Sequence, residues 1–252
     1  MKEYGVGIVF LILSAGLFAQ DAIPYGTILP VQLNHSVRTD RAKPGQPISA
    51  RLMQDVALPA GGKIRAGAKV VGEVIAAKPA VRGNAAEISL RFDAVESGAR
   101  RIPIVTNLRA LASLLEVAEA QLPVTGPDRG TSEYNWTTVQ IGGEVNYHDH
   151  GAISDGLEIV GHSVGDGVLV RVTAKPGSKC RGEMEGTDRL QALWLFSSDA
   201  CGLYGFPDVI LTHAGRSSPI GVITLRSEKG NLNVRAGSGM LLRVNGAARS
   251  LD

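Results

Sequence analysis

Cysteine is nearly absent from this sequence: Cys180 and Cys201 are the only two in 252 residues. In a chain that leaves the cytosol, an isolated pair reads as one disulfide sooner than as a metal site or a nucleophile, with two free thiols as the alternative. A loop of that length, closed without strain, contributes about 3 kcal/mol. Net charge is nearly absent too. The formal value is +2 and the basic residues are scattered, so there is no electrostatic case for nucleic acid as a partner. No apolar run after the first 19 residues reaches the length of a membrane helix. A P-loop, a dinucleotide fingerprint, a zincin helix and a glycine-framed nucleophile elbow are all missing. No catalytic set and no cofactor are therefore expected.

The opening is what the rest of the chain is not. Met1-Lys2-Glu3-Tyr4 leads into an apolar stretch from Val6 to Phe18, which as a helix spans roughly 20 Å against a hydrocarbon core of about 30 Å. A short apolar core after a charged start, ending at small residues, is the pattern of a secretory signal peptide over 1–19, with cleavage after Ala19. An uncleaved anchor is the alternative.

The remainder is rich in strand and turn signals, with 31 glycines and 12 prolines. Ala86, Ile88, Leu90, Phe92 and Ala94 alternate with Glu87, Ser89, Arg91 and Asp93, which places one face on a core. Glu96-Ser97-Gly98 turns the chain into a hairpin. Pro30 lies in a first strand, Ile28–Leu33, and suits an edge or a bulge. Leu108, Leu111, Ala112, Leu115, Ala118 and Leu122 recur at spacings of three and four, predicting an amphipathic helix over 107–122. That helix packs on the sheet or projects toward a partner or membrane. The reading is mainly β: an antiparallel barrel or sandwich core from 26–106 plus 220–248, with 123–219 inserted as a second β region.

Several segments occur in an order met elsewhere. Gly26-Thr27-Ile28-Leu29-Pro30-Val31 is followed by Ser36-Val37-Arg38-Thr39-Asp40. Then come Ala50-Arg51-Leu52-Met53-Gln54-Asp55-Val56 and Ile64-Arg65-Ala66-Gly67, and the chain closes with Leu232–Val244. This order resembles the carboxy-terminal β-barrel domain of the TrbI-like conjugal-transfer proteins of type IV secretion systems, over about 26–106 and 232–244. The resemblance implies a bacterial envelope scaffold. Its motifs are turns and strand entries rather than chemistry.

Four groups of residues are candidates for function. His148 and His150 flank Asp149 and would share one side of a strand, a start toward a metal site that lacks readable further ligands. Trp194, Phe196, Tyr204 and Phe206 form an aromatic concentration near Cys201: a carbohydrate- or peptide-binding platform, or simply the core of the second region. A triad of Cys201, His213 and Asp199 or Asp208 requires a free thiolate. Asn34-His35-Ser36 and Asn135-Trp136-Thr137 match the glycosylation pattern, which means little in a bacterial chain. The expectation is an exported, non-enzymatic structural or interaction protein of the cell envelope. It would assemble with itself or with another envelope protein, in the periplasm, at the outer membrane or outside the cell. The alternatives are a metal-binding protein or hydrolase using His148 and His150, and a ligand-binding module using the aromatic cluster.

Overall fold

The computed structural model describes residues 22–58, 61–82, 84–148, 151–165, 167–173, 180, 185–187 and 189–246. The expected signal peptide lies outside them, as does His150. No described helix is long and apolar enough to cross a membrane.

The chain is mainly β with one α-helix, and its strands form two principal sheets. The larger has ten strands. Along it run Gly202–Tyr204, Val105–Ala112, Gly239–Gly246, Ile28–Leu33, Pro47–Leu52, Lys69–Lys78, Ala86–Ser97, Ile223–Ser227 and Val209–Ala214. Arg100–Pro103 pairs with the far half of Ala86–Ser97, forming the hairpin that Glu96-Ser97-Gly98 predicts. All pairings are antiparallel except that of Gly202–Tyr204 with Val105–Ala112. The sheet curls until its two end strands lie near one another. No ladder joins them among the described residues, so the fold is sandwich-like and not a closed barrel.

The second sheet is a seven-stranded antiparallel meander in sequence order: Pro123–Thr125, Thr137–Val139, Val145–Tyr147, Ala152–Asp155, Glu158–Val164, Gly167–Arg171 and Leu190–Ala192. Two cores follow from this layout. One fills the curl of the large sheet, with Leu29, Val31, Ile88, Leu90, Phe92, Leu108 and Leu242. The other lies where Ile28, Ala110, Ala112 and Leu241, on the opposite side of that sheet, meet Ile153, Val168 and Val170 of the meander. The central strands of the large sheet are thus buried on both faces.

That double burial corrects the helix expected over 107–122. Residues 105–112 are a strand, and the helix is Leu114–Ala120. A strand covered on both faces shows no alternation of buried and exposed positions, and with even Thr106, Asn107 and Arg109 buried, Leu108, Leu111 and Ala112 run on into a helical spacing with the residues after them. Ser113 caps the helix, its Oγ accepting the Glu116 N–H at 3.3 Å. The helix packs on the second core through Val117 and Ala120, Val117 alone contributing about 1.5 kcal/mol by burial.

Two smaller differences have equally local causes. The strand holding Pro30 is central, not an edge, paired with both Gly239–Gly246 and Pro47–Leu52. Its missing N–H is harmless because the ladder to Pro47–Leu52 begins at Val31, while the Pro30 carbonyl still accepts the Met53 N–H at 2.9 Å. The inserted region also ends earlier than 219. Gly202–Tyr204 and Val209–Ala214 belong to the large sheet, the latter recruited by pairing with Ile223–Ser227.

Candidate functional site

The meander carries its residues in an unexpected sense. Registers align Thr138, Asn146, Ile153, Gly161, Val170 and Gln191 on the face turned toward the large sheet. Val139, Val145, Tyr147 and Ile159 share the opposite face. Toward Gly167–Arg171 the inner face is apolar and closes the second core. Toward Thr137–Val139 it is polar, with Thr138, Gln140 and Asn146 buried. Polar side chains facing inward need partners or a ligand.

What they face is a cleft of about 460 Å³. Its walls are Trp136, Thr138, Gln140, Asn146 and His148 of the meander, the helix end at Ala120 and Gln121, Gly165 and Gly167, and Met53, Trp194 and Leu195. Trp136 and His148 stack with ring centroids 4.3 Å apart and planes at 17°. His148 Nε2 lies 3.1 Å from Thr138 Oγ1 and 3.4 Å from Asn146 Nδ2. The Asn146 oxygen accepts from the Ser163 hydroxyl, which fixes the amide orientation and makes its nitrogen the donor to His148. Gln140 is 4% exposed, and neither its amide oxygen nor its nitrogen has a hydrogen-bond partner.

Trp194 closes the opposite wall at 2% exposure. Its φ of 55° makes it the single non-glycine residue in the left-handed region among those described. Both tryptophans of the chain therefore line the same cleft. None of its described lining residues is an Asp, Glu, Lys or Arg; Asp149, His150 and Asp166 lie outside the described residues.

The structure redistributes the candidates read from sequence. His148 and Trp194, which entered separate readings, line one cleft. Phe196 is fully buried in the second core and Phe206 packs against the first. Tyr204 is half-buried; its hydroxyl accepts the Cys201 N–H at 3.0 Å, and burial pushes its phenol pKa up. The aromatic concentration is thus mostly core, with Trp194 the exception. Cys180 and Cys201 are disulfide-bonded, their Cα atoms 5.3 Å apart.

The Cys201 triad does not assemble. His213 Nδ1 lies 2.6 Å from the Val222 carbonyl and its Nε2 is 3.1 Å from Ser217 Oγ. Asp199 accepts from Ser197, and Asp208 pairs with Lys229. Among the described residues no group of three His, Cys, Asp or Glu side chains could hold a metal ion.

Trp136, Thr138, Gln140 and Asn146 were not singled out for binding by sequence reasoning. The available signal was polarity on alternate positions, at 138, 140, 146 and 148, against Val139, Val145 and Tyr147. No protein-family model matches the chain and no curated protein matches it, so the chemistry of the cleft itself has to indicate what it holds.

Proposed function

We propose that this chain is an exported, non-enzymatic binding protein of the cell envelope, and that the cleft beside Trp136, His148 and Trp194 is where it holds its ligand. The carrying observation is the lining: two indoles, an imidazole and neutral amide and hydroxyl groups converge on one concavity, the usual composition of a binding pocket. The described lining offers no carboxylate, and the His148 Nε2 that faces the Thr138 hydroxyl also faces the Asn146 amide N–H, which competes for its lone pair; both support a binder over a hydrolase. The disulfide supports an oxidising compartment. Of the segments that resemble the TrbI-like barrel, those in Ile28–Leu33, Pro47–Leu52 and Gly239–Gly246 lie on neighbouring strands of the large sheet, while Val37–Arg38 pairs with Asn233–Val234 and Val56–Ala57 with Lys63–Ile64 in two small ladders; the adjacency of the three long strands supports an envelope scaffold.

Both tryptophans sit in the cleft, so their emission reports on it. Titration with soluble fractions of bacterial envelope, separated into glycan and protein pools, should shift that emission saturably with one pool and yield no altered product. Unchanged emission with every pool would sink the proposal.

A second reading, assembly with another copy, has a separate observation behind it. Val139, Tyr147 and Ile159 are exposed together on the outer face of the meander, Ile159 to 67%. An apolar sheet face of this kind suits a protein contact. Light scattering on the purified chain should give a dimer that Ile159→Lys converts to monomer; a monomer at every concentration overturns this reading.

A further inference from the structure

We infer that two copies of this chain pair by seating the exposed face of the helix Leu114–Ala120 in a groove on the outer face of the meander, with Glu119 of one copy against Arg171 of its partner. The inference rests on the second reading above, assembly through that outer face, and names the surface that covers it.

The groove comes from a bulge. Ile153 stands opposite Gly161 and Ser154 opposite Ile159, so Val160 is an extra residue in its strand. A bulge bends its strand and re-aims the side chains around it. Val160 turns inward at 9% exposure, while Ile159 and His162 on either side of the bulge are exposed. The hollow between them measures about 420 Å³ and is walled by Ile159, His162, Arg171 and Leu190. Arg171 is exposed and has no ion-pair partner among the described residues. An unpaired guanidinium beside two exposed aliphatic side chains suits a carboxylate with an apolar neighbour.

The helix carries that pattern. Val117 and Ala120 pack on the second core, which leaves Leu115, Ala118 and Glu119 exposed. Leu115 and Glu119 are four residues apart and so are neighbours on one stripe, with Leu115 at 70% exposure. Glu119 also has no ion-pair partner among the described residues. It stands in the last turn of the helix, where no basic residue accompanies it. The negative end of a helix dipole disfavours a carboxylate, so a cation from outside the helix relieves two unfavourable features at once.

Charge separates this arrangement from a simpler one. Across the ladders of the meander, no Asp or Glu stands in register on the same face as Arg171. Two outer faces packed on each other would bury Arg171 without an acid, and an unpaired buried charge is costly. The helix stripe supplies the acid together with apolar area, and a helix laid in an apolar groove is a recurrent mode of recognition. Each copy carries both surfaces, so a two-fold dimer makes the contact twice.

The test is light scattering and sedimentation of the full mature chain over a concentration series, with Glu119→Arg, Arg171→Glu and the double variant. The wild type should dimerise, and each single variant should weaken the dimer about tenfold or more. The double variant restores opposite charges at both contacts and should recover most of that loss. Melting temperatures at dilutions where every form is monomeric should hold, which separates lost pairing from lost folding. A dimer that Ile159→Lys breaks but neither charge variant weakens overturns the helix as the covering surface, while the outer-face reading stands. A double variant as weak as the two losses added together has the same meaning. A monomer at every concentration removes both readings, and its binding to phosphatidylglycerol vesicles would then assign the face to a lipid surface.

Discussion

Gln54 holds Trp194 by its backbone: the Trp194 N–H donates to Gln54 Oε1 at 2.8 Å, and Gln54 Nε2 donates to the Val168 carbonyl at 2.9 Å. A left-handed tryptophan costs of order 1–3 kcal/mol and persists only where its surroundings fix it. This one amide ties the strained residue to both the strand Gly167–Arg171 and the loop after Pro47–Leu52. Gln54→Ala removes both bonds and leaves the buried Trp194 N–H unpaired, while the Val168 carbonyl keeps the Leu193 N–H. It should lower unfolding free energy by about 2–3 kcal/mol, read as a shifted urea midpoint, and red-shift the emission of Trp194.

Glu144 predicts a pH dependence. It is 3% exposed and accepts the Ser198 N–H at 2.8 Å, and the Ser198 hydroxyl as well. Burial raises its pKa above the usual carboxylate range, against the opposing effect of those hydrogen bonds. The folded state then keeps a proton that the unfolded chain has already released. Stability from this group is greatest below the unfolded pKa and is lost as pH rises through the folded one. Asp55 runs the other way: its bond to Lys63 and the Ala66 N–H lower its pKa. Its contribution disappears as pH falls through the folded value. Urea unfolding of the wild type should therefore show a decline across mildly acidic pH that Glu144→Gln flattens. An identical slope in the variant would count against the buried carboxyl as its source.

The disulfide does more than close a loop. It joins the chain before Glu185 to Cys201, and Glu185 itself pairs with Arg243 at 2.7 Å and accepts from the Tyr25 hydroxyl at 3.1 Å. With the bond gone, the Glu185 contacts to Arg243 and Tyr25 remain, among the described residues, to hold this end of the chain near the strand Gly239–Gly246. Replacing both cysteines by serine should cost about 3 kcal/mol, and added reductant should move the wild type toward the variant in thermal melts. Mass spectrometry with and without reductant counts the thiols directly.

Gly72 answers to a different constraint. A Cβ at this position would run into the Arg91 carbonyl across the ladder between Lys69–Lys78 and Ala86–Ser97. Backbone cannot yield as a side-chain tip can, so Gly72→Ala should cost about 3 kcal/mol or more. Gly45, where an added Cβ meets nothing, has a φ of 78° and gives a useful contrast. Its alanine variant carries the conformational penalty alone, about 1 kcal/mol.

The fold was legible wherever one face of a strand meets core and the other meets water. Ala86 to Ala94 shows this, with Ser89 the exception: it is buried and bonded to Thr224 at 2.9 Å. Legibility failed at 105–112, where both faces are covered and no alternation survives. The cleft was only half legible for a related reason. Alternation reports two faces but not which one looks inward. At 138–148 the polar parity is the inner one: Thr138, Gln140 and Asn146 are buried while Val139 and Tyr147 face outward. His148 and Trp194 carried visible chemistry, yet only the packing of the meander against the large sheet brings them together.

The placement of Ile28–Leu33 has a temporal consequence. This early strand lies between Pro47–Leu52 and Gly239–Gly246, so one of its two ladders is made by almost the last residues described. Contacts that distant in sequence form slowly, because the intervening chain must be gathered first. Val105–Ala112 waits on the same late strand. Synthesis or threading that has not yet delivered residues 239–246 leaves two apolar strands without their shared neighbour, and the large sheet is completed only when that strand arrives. Delivery of residues 239–246 therefore gates completion of the large sheet.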